Sequence, residues 1–317
     1  MKILLLSIFM LSVVFGQTIE MPSKKFVADG AVTDIVYVND KLYVSTAVGV
    51  VDIFNMQDTK PVKRIEVPSI KDFMGRESKA KVYSVDILDK EILLLSQAEK
   101  GYRKLFLFKE DKLSKIIGVD AKMSIAKAKF IDDDTVLLAL LSNDIISYNI
   151  KTKKQNWTTQ ASMSKFSDFA LNEQKTKVVI ADESGDLHIY ATKDGTLVKK
   201  LEGENLDNVF AVDYKNKKII TAGQDRRAVV YDLRFNSAYY KKSNFLIYSA
   251  GLSPKAKLGA YASDEQNNVT VFKTSTKTNV GVFGDNEMTL VKILFISEKD
   301  FFVACDAKVI NLYKIGR

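Results

Sequence analysis

The side chains able to do chemistry are few in this 317-residue chain, and their scarcity limits what it can do. It has one histidine, His188, and one cysteine, Cys305. A single thiol excludes an internal disulfide framework and any zinc or iron–sulfur centre built from clustered cysteines. A single imidazole excludes multi-histidine metal centres and leaves one candidate for histidine acid–base chemistry. That candidate lies in the apolar run Leu187-His188-Ile189-Tyr190, with Leu187 and Ile189 on the opposite face, which is the setting of a packed structural histidine. The one tryptophan, Trp157, closes the segment Ile150 to Trp157 and reads as packing on an outer strand rather than as a stacking platform. Acidic and amide residues at Asp34, Asp168, Asp207-Asn208, Asp225 and Asp264 fall near expected strand connections. Gathered from several loops, such groups can hold a calcium ion; they are also the residues that tight turns require, and the turn reading is preferred. No Gly-x-Ser-x-Gly elbow and no phosphate-cradling glycine loop is present. We therefore expect no catalytic residues, no metal and no cofactor.

The elements around these residues show a repeat. Alternating apolar segments end in an aromatic residue at Phe54, Phe108, Tyr148, Tyr190, Tyr231, Phe272 and Tyr313, so the spacings are 54, 40, 42, 41, 41 and 41 residues. About ten residues before each aromatic, an aliphatic strand ends in a small residue, as in Tyr43-Val44-Ser45, Leu140-Leu141-Ser142 and Ile220-Thr221-Ala222. A further strand precedes it, such as Val209 to Tyr214, and a fourth follows the aromatic, as in Thr196 to Lys199. Four short strands in about 41 residues is the pattern of a β-propeller blade, and seven units predict an all-β, seven-bladed β-propeller over residues 17–317. An open two-sheet β structure is the alternative, but it does not account for the spacing. The recurring small residues are expected near the axis, where the innermost strands converge. The last unit stops at Arg317 without a fourth strand, whereas Met21 to Ala28 alternates like a strand and has no unit of its own. We expect residues 17–30 to close the ring by completing blade seven, which removes an exposed pairing edge.

The segment Gly223-Gln224-Asp225-Arg226-Arg227-Ala228-Val229-Val230-Tyr231-Asp232-Leu233 resembles the end of a WD repeat, with Tyr231 in place of the tryptophan. Ser184 to Tyr190 is a weaker match, and Ile150 to Trp157 resembles the outer strand of quinoprotein-like repeats. The Gly-His dipeptide of WD repeats is absent, so their His–Ser–Trp hydrogen-bond arrangement is not expected. Quinone-dependent propeller dehydrogenases use neighbouring cysteines, which a lone Cys305 cannot supply. In size, export and blade count the chain is similar to NapL-type accessory proteins of periplasmic nitrate reductase systems. That resemblance implies a non-catalytic interaction or assembly module whose protein partner is a periplasmic respiratory enzyme or its electron-transfer subunits. The alternative is a calcium-dependent lactonase-like hydrolase with its ion at the channel mouth.

Export is read from the N-terminus. Met1-Lys2, the apolar run Ile3 to Phe15 and Gly16 form a signal-peptide pattern over residues 1–16, too short for a spanning helix. This predicts a periplasmic protein that is not inserted in the membrane after cleavage, and a monomer. The formal charge is +8, yet the basic pairs are scattered among acidic residues, so no nucleic-acid stripe is expected. The long first spacing places an insertion near Pro68 to Lys81, and Gln97 to Arg103 lengthens a loop in the second unit. Propeller winding puts both on one face. They combine Phe73, Met74 and Tyr102 with Asp72, Arg76 and Arg103, a composition enriched at protein interfaces, and this corner is the expected partner-docking site.

Overall fold

The chain is described by a computed structural model over residues 18–316; the expected signal peptide, residues 1–16, lies outside the described residues. Alternation of period two makes strands that are apolar on both faces, and the strands assemble into seven separate sheets rather than one. Within a sheet the chain winds outward from the axis. Blade one, for example, runs Val32–Val38, Lys41–Thr46, Val50–Asn55 and Lys63–Glu66, with each strand antiparallel to the last. The opening strands of successive sheets pack side by side around one axis. The result is the seven-bladed β-propeller, with apolar cores lying between neighbouring blades rather than within one. The terminal aromatics fill these interfaces: Phe54, Tyr148, Tyr190, Tyr231, Phe272 and Tyr313 are buried, while Phe108 is half-buried.

Closure follows the sequence expectation. Lys24–Val27 pairs antiparallel with the last strand, Val309–Lys314, and completes blade seven. An additional tie was not foreseen: Ile19–Glu20 adds a fifth, parallel strand to the outer edge of blade six, on Asn279–Phe283. The N-terminal segment therefore straps two neighbouring blades together.

The small residues are not at the axis, contrary to expectation. Ser45, Ser96, Ala181, Ala222 and Ala304 lie on the second strand of their blades, one strand removed from the axis. In the third unit the strand stops at Leu140, so Ser142 falls in an exposed turn. Their role is to face a kink. In six blades the opening strand slips register against the second, between Val32 and Asp34 in blade one and likewise in blades two, three, four, five and seven. A β-bulge crowds the strand beside it and re-aims its own side chain, here into the axial channel. Thr33, Tyr83, Ser167 and Phe210 occupy these bulges and line the channel.

Phe26 anchors the closing strand. It is fully buried, with its ring 5.6 Å from Phe54 and 5.7 Å from Phe302, both edge-on. Phe26→Ala is expected to lower unfolding free energy by about 3–5 kcal/mol in a urea titration. A loss below about 1 kcal/mol would show that the strap does not hold the ring closed.

Candidate functional site

Two regions gather polar or exposed side chains: the axial channel and one face of the ring. The channel is built by the opening strands, which carry charge where their partners on the sequence are apolar. Asp34 accepts the N–H of Val85 in the next blade at 3.3 Å. Asp86 accepts that of Phe130 at 2.8 Å, Asp168 that of Val212 at 3.0 Å, and Asp213 that of Leu252 at 2.9 Å. Ser249 does the same for Ile293 at 3.0 Å. Each reaches one blade onward. At the remaining junctions lysines take over: Lys127 donates to the Phe169 carbonyl at 2.8 Å and pairs with Asp168 at 2.6 Å. Lys292 pairs with Asp34 at 2.6 Å, and Lys129 bridges Asp86 at 3.3 Å and Asp34 at 3.6 Å.

Asp34 is the centre of this network. Burial alone would raise its carboxyl, but the ammonium groups of Lys292, Lys129 and Lys127 outweigh burial and hold it well below the usual carboxylate range. Burial pushes Lys292 below the usual lysine range, with Asp34 opposing that shift. For Lys129, the attraction of Asp86 and Asp34 overcomes the effect of burial and raises it. Asp34 and Asp168 were expected in turns; they stand instead on the opening strands of blades one and four. The turn reading does hold elsewhere. Asp207 caps the N–H of Asn208, Asp225 that of Arg227, and Asp264 those of Gln266 and Asn268. Among the described residues no group of three or more His, Cys, Asp or Glu side chains is placed to hold a metal ion.

His188 is buried on the third strand of blade four, stacked on Tyr190, and burial pushes its imidazole below the usual range. Its Nδ1 has no partner. Trp157 packs outward on the next blade, where its Nε1 donates to the Thr192 carbonyl at 3.0 Å. Gly195 turns there with φ of +71°, and a Cβ would come within 2.7 Å of the indole. Cys305 is buried, and burial pushes its thiol up.

The second region is the ring face on which loops between blades, and turns between second and third strands, emerge together. The insertion folds here as a hairpin, Ile70–Lys71 with Glu77–Ser78. Ile70 is buried in the core between blades one and two and roots it. Asp72 accepts the N–H groups of Arg76 at 2.9 Å and Met74 at 2.8 Å, and the Arg76 guanidinium at 3.1 Å. Those bonds hold its carboxyl below the usual range, the Arg76 N–H first among them. The tip presents Phe73, which is 97% exposed, beside exposed Met74. The loop of blade two starts against the hairpin's base, since the Gln97 N–H donates to the Lys81 carbonyl at 2.7 Å. Tyr102 in that loop is half-buried. Arg103 does not point outward with the hairpin; its guanidinium lies over Tyr83 at the channel at 4.0 Å and donates to the Gly101 carbonyl at 2.6 Å.

Buried amides tie the same face down. Asn205 donates to the Tyr231 hydroxyl at 3.0 Å and accepts from Thr221 at 2.7 Å. Asn286 accepts from Tyr313 at 3.0 Å and from Asn311 at 2.9 Å. Asparagine thus fastens inter-blade loops without the histidine or tryptophan of a WD repeat. Sequence reasoning missed Asp86, Asp213, Lys127, Lys129 and Lys292, although each has an apolar neighbour on both sides in an opening strand, a recurring signal. Comparison with models of protein families found no match, and comparison with curated proteins found none either.

Asp34→Asn leaves Lys292 and Lys129 without their shared counter-charge. It is expected to destabilise the fold by about 3–5 kcal/mol, read from the urea midpoint of Trp157 fluorescence. Because the folded carboxyl is depressed, its contribution is fully present above the unfolded value of about 3.9 and declines as pH falls below it. Wild type should therefore lose stability on acidification, with a shallower acid limb in Asp34→Asn. Parallel limbs would remove Asp34 from the centre of the network.

Proposed function

We propose that this chain is an exported, non-catalytic binding module that docks a protein partner on its loop face. One observation carries the reading, namely where exposed apolar side chains lie. Phe73, Met74, Leu141, Met163, Leu206 and Met288 are all exposed, Met163 at 92%, and each sits in a loop or turn of that face. On the turns of the opposite face only Val62 and Phe235 are comparably exposed among the described residues. Large exposed apolar side chains framed by polar ones mark interaction surfaces. The hairpin corner supplies the most prominent anchor, an aromatic side chain held out by a self-capped turn, with the Arg76 guanidinium beside it. A preorganised anchor loses little freedom on binding.

The resemblance to NapL-type accessory proteins supports a periplasmic respiratory enzyme, or its electron-transfer subunits, as the partner. The calcium-dependent hydrolase finds less support. Asp34 and Asp168, the two axial carboxylates it would draw on, are neutralised by lysines at 2.6 Å.

The test compares wild type, Phe73→Asp and deletion of 72–79 in titrations against a purified periplasmic nitrate reductase. The variants should keep thermal stability within about 0.5 kcal/mol, because Phe73 is fully solvated. Affinity should fall about tenfold or more. Unchanged affinity in both variants would remove the corner from the interface. Absence of binding by wild type would refute this partner class.

A further inference from the structure

We propose that the axial cavity is a binding site for a small zwitterion, its anionic end received by Lys292 and Ser84 and its cationic end by Asp213. This inference stands on the channel and is independent of the loop face. The cavity encloses about 550 Å³, within the size range of pockets for small ligands. Three groups from three different blades face it with unused bonding capacity. Ser84 Oγ is buried and has no hydrogen-bond partner. Lys292 carries three N–H donors and places one, on Asp34 Oδ1 at 2.6 Å. Asp213 accepts the backbone N–H groups of Tyr214 and Leu252, both at 2.9 Å. Unlike Asp34, Asp86 and Asp168, it has no ammonium partner among the described residues.

Charge then selects the ligand. The ionisable side chains lining the cavity balance, five carboxylates against five ammonium groups. A lone buried anion or cation upsets that balance and is left uncompensated, whereas a ligand carrying both signs preserves it. The residues between the two ends leave room, since blades five and six contribute Ala211 and Ala250 to the lining. Phe210 and Tyr248 stack at 5.3 Å in the same wall and offer an aromatic face to a cation held at Asp213.

Calorimetric titration of the folded protein with glycine, β-alanine and γ-aminobutyrate, whose charges lie progressively farther apart, tests this directly. Butyrate and butylamine serve as single-charge controls. At least one zwitterion should bind, with each control weaker by about tenfold or more. Asp213→Asn and Ser84→Ala should each weaken that zwitterion by about fivefold or more. Ser84→Ala removes a hydroxyl that has no partner, so its thermal midpoint should match wild type and separate a binding loss from an unfolding one. Silence with all three zwitterions overturns the proposal. So does a control that binds as tightly as its zwitterion, or unchanged affinity in both variants.

Discussion

The carboxylate of Asp34 accepting a backbone N–H from the next blade is the contact on which the ring depends. An opening strand pairs with its own sheet along one edge only. Its other edge faces the axis, where an unpaired backbone group is costly. Five of the seven junctions meet this need in one way, with a side chain on one opening strand accepting an N–H from the following one. Where Lys127 and Lys292 replace the acceptor, the contact becomes a donor to a carbonyl or to Asp34 itself. The network thus fixes the spacing of blades at the axis, while Lys24–Val27 and Ile19–Glu20 fix it at the rim. Buried ion pairs of this kind are costly to form and more costly to break singly, so they favour one closed arrangement over partly opened ones.

A ring held at axis and rim leaves its loop face free of any structural duty to be apolar. Phe73, Met163 and Leu206 are exposed there even though the blades already have full cores. The loops are nevertheless ordered. Asp72 caps its own hairpin, and Asn205 and Asn286 bind their loops to the third strands of blades five and seven. Burying an asparagine with both its donor and its acceptor used is stabilising, and it sets the height at which each loop stands. Function on such a scaffold is display of fixed groups, not rearrangement.

Much of the fold was legible. The aromatics from Phe54 to Tyr313 recur because each blade interface needs one large side chain at one register position, and burial at six of the seven confirms it. The missing fourth strand and the spare segment at Met21 to Ala28 together announced the closure. The small residues were read at the wrong depth. Ser45 and Ala222 look like axial residues because crowding is expected at the axis; the crowding comes instead from bulges in the neighbouring strand, which leave no mark in a residue-type pattern. The extra strand at Ile19–Glu20 escaped notice because two residues carry no periodicity.

The sequence by itself determined the repeat, the number of blades and the strand that completes the last one, because alternation and spacing are properties of neighbours along the chain. It also placed the hairpin insertion, as a departure from that spacing. Only the tertiary structure decided what the charges are for. Lys129 and Asp34 lie 95 positions apart, and a charged residue between apolar ones looks the same whether it faces solvent or an axis. Closing the ring turns one such face inward, and burial there obliges each carboxylate and ammonium to find its counterpart.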